Sequence, residues 1–315
     1  MQQGTVARRV HFCGVGLHSG KVVELVVMPA EVNSGIVFHR TDIQFKENKV
    51  QAIPKNVIDT RLSTTIGNTH CKVATIEHLM AAFSGLGIDN AQVQISAEEV
   101  PILDGSSAPF VDKLVEVGVQ RQPKSRKVLI PTQTIEVSQR DQSIRLDPPT
   151  TQCYREFSPP VLRIHYTIDF SCSEAIGKQS RSIQFNSSTF LELCEARTFC
   201  HQRDVEHMRS QGLALGGSLD NAIVVSDSGI MNEEGLRYSD EFVRHKILDC
   251  VGDLALLGGG LAGNLKAHKA GHYLHNKLVD RLMQTGMTIE WDPTQIPNEG
   301  LTKDSSLYPS PTATG

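Results

Sequence analysis

Several things are scarce in this 315-residue sequence, and each scarcity closes off a class of function. Aromatic residues make up only 5% of the chain, which is thin for a surface that stacks nucleobases. The formal net charge of −4 provides no basic stripe to neutralise phosphates, so nucleic-acid binding is disfavoured. No segment approaches the roughly 20 apolar residues needed to span a bilayer. The N-terminal stretch Met1–Val10 lacks the apolar core of a secretory signal. The expectation is a cytoplasmic protein with at most peripheral membrane contact. Seven cysteines (Cys13, Cys71, Cys153, Cys172, Cys194, Cys200 and Cys250) form no C-x-x-C pair. They read as ordinary thiols in a reducing compartment, and a thiolate zinc site is disfavoured. No G-x-G-x-x-G opens a βα unit, which argues against a dinucleotide site.

What is present is enough apolar sequence, 39%, and enough length for about two domains with their own cores. Residues 1–120 carry expected strands at Lys21–Val27, Gly35–Phe38 and Asn90–Ser96, with helices at Thr75–Phe83 and Ser106–Val117. The polar, basic, Pro-containing stretch 121–127 reads as a linker. Beyond it, Lys127–Val137, Ile144–Leu146, Leu162–Phe170, Ala222–Val225 and Ala262–Ala267 read as strands. Phe190–Glu195, Arg203–Arg209, Glu241–Leu257 and Tyr273–Gln284 read as helices. After Trp291 the chain turns rich in Pro, Ser and Thr, and 292–315 is expected to be a disordered tail. Mixed strands and paired helices in each half suggest α+β layers rather than a parallel nucleotide-binding sheet. Glu77-His78 and Arg244-His245 each lie in a helix that ends in glycines before a strand, which hints at a duplicated unit.

The chemistry concentrates in Arg244–Asp253, where His245, Asp249 and Asp253 recur every four residues and so project from one helix face. A His and an Asp four apart can reach one metal ion, although a surface ion pair is the bland explanation of that spacing. The surrounding Ile247, Leu248, Val251 and Leu254–Leu257 point to a buried helix, on which polar groups need partners. His78 could be a third ligand, and Glu77 beside it a carboxylate that stays off the metal and acts as base. Alone, His78 reads as a core histidine and Glu77 as a first-turn acid favoured by the helix dipole. Three protein ligands plus a base describe a catalytic zinc site with one position left for water. The His-rich loop His268-Lys269-Ala270-Gly271-His272 precedes a helix, so His272 could enter the same cleft as an acid, with Asp253 holding its charge.

Together these residues resemble a bacterial family, the UDP-3-O-acyl-N-acetylglucosamine deacetylases of lipid A synthesis. The resemblance rests on an ordered set of segments: Gly14-Val15-Gly16-Leu17-His18-Ser19-Gly20, Thr75-Ile76-Glu77-His78-Leu79, Gly85-Leu86-Gly87-Ile88-Asp89-Asn90 and Ile102-Leu103-Asp104-Gly105-Ser106. It continues through Ala196-Arg197-Thr198-Phe199, Leu215-Gly216-Gly217-Ser218, Asn232-Glu233-Glu234-Gly235-Leu236-Arg237, Arg244–Asp253 and Lys269-Ala270-Gly271-His272. The resemblance implies two similar α+β domains, about 1–120 and 128–291, each a sheet with two helices, the helices sandwiched between the sheets. It implies Zn2+ held by His78, His245 and Asp249, with Glu77 as general base and His272 as general acid beside Asp253. Thr198 would donate to the developing oxyanion. Lys246, Phe199, Asp169 and Phe170 would contact the substrate. An insert at about 200–225 would pass the acyl chain, offering Val205, Leu213, Ala214, Leu215, Ala222, Ile223 and Val224. Two positions depart from the family pattern: His201 stands in place of an aromatic residue, and Ser171-Cys172 follows Asp169-Phe170 in place of Asn-His.

The implied reaction is hydrolysis of the N-acetyl group of the acylated UDP-sugar by a monomeric enzyme that needs no nucleic acid. The competing enzyme reading is a zinc amidase acting on another acylated sugar or amide, distinguished by which substrate turns over. A non-catalytic RNA-associated module is the competing non-enzyme reading, and it requires salt-dependent RNA affinity. A purely structural zinc site is disfavoured because such sites usually close their shell with Cys.

Overall fold

The computed structural model describes residues 1–44, 46–149 and 161–290. The expected tail, 292–315, and Cys153 lie outside the described residues. The chain folds as α+β, with two five-stranded sheets of identical connectivity. The first sheet runs Val10–Val15, Val22–Met28, Ala91–Ile95, Ile36–Arg40, Lys49–Gln51 in spatial order. The second runs Ile135–Gln139, Gln142–Asp147, Gly263–His268, Leu162–Phe170, Gly177–Phe185. In both, the strand that comes last in sequence inserts at the centre, antiparallel to the second strand and parallel to the third.

Each central strand is flanked in sequence by two helices. In the first half these are α1 (Glu77–Leu86) and α2 (Ala108–Val117). The second half adds α3 (Ser187–Leu191) and α4 (Gln202–Ser210), and then α5 (Glu241–Leu254) and α6 (His272–Thr285) around its central strand. The α2 helix packs on the first sheet, α5 and α6 pack on the second, and α1 packs directly against α5. The order is sheet, helices, helices, sheet. Because α1 and α5 meet other protein on most sides, they are buried nearly all round, and most polar residues of α5 are buried with the rest. The α6 helix is ordinary by contrast. Leu274, Leu278 and Leu282 with His275 and Val279 form one buried face at helical spacing.

The expected elements are present with ends shifted by one to a few residues, the helix expected at Phe190–Glu195 lying at Ser187–Leu191, while strands such as Val10–Val15, Lys49–Gln51 and Gly177–Phe185 lie outside the expected set. Two further segments differ. The expected single strand Lys127–Val137 divides into Lys127–Pro131 and Ile135–Gln139, which join different sheets. The stretch expected as a linker is regular structure, since Val119–Ser125 pairs antiparallel with Gln2–Val6 at the N-terminus. Charged strand residues facing solvent on an edge hide that pairing from the sequence pattern.

The α1–α5 contact is close because Gly252 has no side chain. A Cβ there would lie 2.1 Å from the Glu77 carbonyl oxygen. Similarly, Gly85 lets α1 settle onto Phe190 of α3. Gly252→Ala should gain about 1 kcal/mol of helix propensity but force α1 off α5, costing about 1–3 kcal/mol. The expected net result is a lower unfolding midpoint, read by thermal denaturation. An unchanged or higher midpoint would show that the helices can separate freely.

Candidate active site

The first turn of α1 carries Glu77 and His78, mid-α5 carries His245, Asp249 and Asp253, and the first residue of α6 is His272. All six are buried. His78 Nε2 lies 3.6 Å from Asp249 Oδ1, and His245 Nε2 lies 3.3 Å from the same oxygen. The two imidazoles meet edge-on, with centroids 5.0 Å apart. His245 Nδ1 faces the Ala196 carbonyl at 3.0 Å, which fixes Nδ1 as the protonated nitrogen and leaves the Nε2 lone pair toward Asp249. Burial, partly opposed by Asp249, lowers the His245 pKa to about 4, so the ring is neutral at neutral pH. Asp249 Oδ1 is buried without a hydrogen-bond partner, whereas Oδ2 accepts from Lys246 Nζ at 2.6 Å. Burial would raise the Asp249 carboxyl, but His245 and Lys246 beside it carry it well below the usual carboxylate range. Ligand atoms of His78, His245 and Asp249 all lie within 4.8 Å of one another. Two imidazoles and an ionised carboxylate with a free oxygen are a fitting donor set for a zinc-like ion.

Glu77 stands off this triad. Its Oε2 accepts from the Thr64 backbone N–H at 3.0 Å, and Oε1 faces His272 Nε2 at 3.8 Å. Burial raises the Glu77 carboxyl, with His272 and His78 opposing. His272 Nδ1 is 2.7 Å from Asp253 Oδ2, which turns Nε2 toward Glu77 and Asp249. Burial works against charging this ring, yet Asp253 and Glu77 outweigh it and lift its pKa to about 9. For Asp253 itself, burial is likewise overcome by His272 and His275, and its pKa falls to about 2. The site therefore pairs a carboxyl made more basic with an imidazole kept protonated, an arrangement suited to acid–base work.

Three participants escape the sequence pattern. Thr64 Oγ1 donates to Asp253 Oδ1 at 2.5 Å, while its N–H donates to Glu77, so one residue ties these two carboxylates together. It lies 189 positions from Asp253, too far for any local signal. His275 Nδ1 also sits 2.7 Å from Asp253 Oδ2, and Tyr166 closes on its other nitrogen. His275 had a readable cue, since it follows His272 by three residues on one helix face.

A cavity of about 1010 Å³ opens over this cluster, with Glu77, His78, His245, Lys246, Asp249, His272, Thr198, Phe199 and Phe170 in its wall. Thr198 is clamped through its backbone between Gly105 and Ile223. Phe199 stacks edge-on against Phe242 and Phe170. Asp169 is placed differently from these. It accepts from Ser171 in its own turn and lies beside the cavity wall rather than on it. A second cavity of about 360 Å³ adjoins the first and is lined by Val205, Met208, Ala214, Ala222 and Val224. Of the other expected insert residues, Leu213 lines the large cavity, Ile223 is core, and Leu215 is exposed. His201 joins the large cavity's wall, 3.4 Å from Asp227.

The chain was compared with known proteins. The family model described as UDP-3-O-acyl N-acetylglycosamine deacetylase matches residues 3–284. A UDP-3-O-acyl-N-acetylglucosamine deacetylase of Geobacter sp. (strain M21) is 46% identical over 286 residues, covering 90% of this chain and 89% of that protein. The like-named protein of Acidithiobacillus ferrooxidans is 45% identical, covering 90% of each chain. That of Xanthomonas axonopodis pv. citri is 42% identical over 312 residues, 98% of each.

One buried ion pair underpins the cavity wall. Glu241, at the start of α5, accepts from the Arg197 backbone N–H at 3.0 Å and from its Nε at 2.9 Å, and also from the Arg237 N–H at 2.6 Å. Glu241→Ala would leave the Arg197 guanidinium with Glu234 and Gly235 only. The expected loss is about 3 kcal/mol of stability, the lower part of the range for a broken buried pair. Denaturant unfolding measures it, and a change under about 0.5 kcal/mol, the scale of a surface substitution, would show the pair is dispensable.

Proposed function

The chain belongs to the UDP-3-O-acyl-N-acetylglucosamine deacetylase family, and from that premise we propose how its own residues carry the reaction. It is a metalloenzyme that hydrolyses the N-acetyl amide of an acylated UDP-N-acetylglucosamine, a step of lipid A biosynthesis. The metal is read as zinc, held by His78, His245 and Asp249. The observation that carries this reading is Asp249 Oδ1, buried, without a hydrogen-bond partner, and facing the Nε2 atoms of both histidines. When bound, the ion supplies Lewis-acid polarisation of the amide carbonyl and makes a water beside it more acidic.

Glu77 is the base in this reading. Its Oε1 takes a proton from the attacking water as the new C–O bond forms. The Thr198 hydroxyl donates to the oxygen on which negative charge develops. His272 passes the proton on Nε2 to the departing amine as the C–N bond breaks, leaving acetate and the free amine. Asp253 holds the opposite edge of that ring, which supports Nε2 rather than Nδ1 as the reacting nitrogen. Lys246 would meet the polar head of the substrate, while Phe199, Phe170 and Asp169 would border the uridine end. The apolar 360 Å³ cavity suits the acyl chain. The repeated sheet order supports two similar domains divided at 121–127. No described helix is long and apolar enough to cross a membrane. We read the protein as a cytoplasmic monomer with at most peripheral membrane contact and no nucleic-acid partner.

Glu77→Ala should abolish turnover of the acylated UDP-sugar, by about 10²–10⁴-fold, while retaining about one zinc per chain, read by elemental analysis. Zinc loss in that variant would make Glu77 a ligand instead. No wild-type turnover with zinc bound would promote hydrolysis of a different amide. The pH dependence has a worked sign. Glu77 must be ionised and its pKa is raised, so activity climbs as pH rises through that value. His272 must be protonated and its pKa is raised to about 9, so activity falls as pH passes it. A cation on the triad lowers both limbs without removing either. The kcat/KM profile should be bell-shaped, and a flat one through neutral pH would overturn the assignment.

A further inference from the structure

His275 is fully buried, and its ring is held at both nitrogens although neither faces the cavity. Nδ1 lies 2.7 Å from Asp253 Oδ2, the same oxygen that His272 Nδ1 meets at 2.7 Å. Nε2 lies 2.9 Å from the Tyr166 hydroxyl, which is 2.7 Å from the Ala270 carbonyl. Tyr166 is itself fully buried, on the central region of the second sheet. The hydroxyl has one proton for two neighbours. Either Ala270 receives it and His275 Nε2 donates to the hydroxyl, or Nε2 receives it directly. Asp253 can only accept, so Nδ1 carries a proton in either case: the ring is neutral when Nε2 accepts from Tyr166 and an imidazolium when Nε2 donates to it, and a flipped ring would break both contacts.

The other end of this chain is the loop that bears the acid. Ala270 is two residues before His272, and Lys269, with φ of 53°, is pinned through its N–H to the Thr167 carbonyl at 2.8 Å. Tyr166 and Thr167 are adjacent on one strand, so that strand grips the loop at two successive points. With Thr64 on Oδ1 and two imidazoles on Oδ2, the Asp253 carboxylate has no freedom to rotate.

We propose that His275 and Tyr166 are positioning residues for the deacetylation: they lock the Asp253 carboxylate and the Ala270 loop, and so hold His272 with Nε2 aimed at the leaving amine. This rests on the reading of His272 as the acid. It adds two residues that touch no substrate and act only through Asp253 and the loop. A satisfied core histidine would have the same burial, so the discriminating property is the donor to Asp253 rather than the volume of the ring.

The test compares His275→Asn, which keeps an N–H donor within reach of Asp253, with His275→Leu, which fills space but cannot donate. The zinc-loaded enzyme is assayed on the acylated UDP-sugar, with zinc content and melting temperature measured on each variant. The expected result is a fall of about 10- to 100-fold in kcat for the Leu variant, the scale of a small misplacement of a reacting group. KM and zinc content should stay within about twofold, and the Asn variant should recover most of the lost rate. Tyr166→Phe should lower kcat by a smaller factor, again at constant KM, and lose most of that effect when combined with His275→Leu. Equal rates for Asn and Leu, or losses confined to KM, zinc content or melting temperature, would overturn the inference. Should the Leu variant fail to fold, Asn and Tyr166→Phe still decide it: wild-type kcat in both overturns it. Failure of the wild type to turn over the acylated UDP-sugar would instead overturn the functional reading beneath it.

Discussion

The contact of α1 with α5 at Gly252 is the constraint on which the rest of the site depends. It brings the N-terminus of one buried helix within van der Waals reach of the last turn of another. Glu77 and His78 arrive from the first half of the chain, and His245, Asp249 and Asp253 from the second. No single half contains the full set. Catalytic geometry and the packing of the two halves are therefore one property, and a residue as featureless as glycine controls both.

Burying so many ionisable groups is costly, and the structure offsets the cost group by group. Asp253 receives three donors, and Glu241 is held by Arg197 and the Arg237 N–H. Glu99 is fixed by the backbone of the loop bearing His18 and by Thr75. Asp249 Oδ1 is not offset in this way; it is buried and unpartnered, as among the described residues are both ring nitrogens of His18, Arg181 Nε and Asn276 Nδ2. A buried carboxylate oxygen left open beside two imidazoles is a local departure from the rule that buried polar groups are paired, and such departures concentrate at functional sites. Neighbours divide the two buried histidines: burial pushes His245 down to a neutral ring, whereas Asp253 and Glu77 overcome burial and lift His272 to a cation. One residue type serves two roles because its neighbours differ.

The matching order of the two sheets explains why the motif-bearing segments occupy corresponding places. In each half a helix before the central strand supplies a histidine to the proposed metal triad. In the second half the helix after that strand also contributes, through His272 and His275, whereas the equivalent α2 contributes only packing. Two sheets of the same order are thus used unequally, with the proposed acid His272 built on the second alone.

The sequence by itself determined a good deal. Periodicity located α5 and α6, and four-residue spacing put His245, Asp249 and Asp253 on one face, because helix geometry is local. Ordered motifs identified the family. It also carries a legible mark in His275, three residues after His272. Other features belonged to the tertiary structure alone. Thr64, Tyr166 and the strand pair Gln2–Val6 with Val119–Ser125 join residues whose partners lie roughly 100 or more positions away. Nothing in a local window encodes such pairings, since their partners meet only when the chain folds. Which oxygen of Asp249 stays free, and which nitrogen of His272 faces the cavity, were likewise decided there. Those are questions of distance and direction, and the linear order of residues fixes neither.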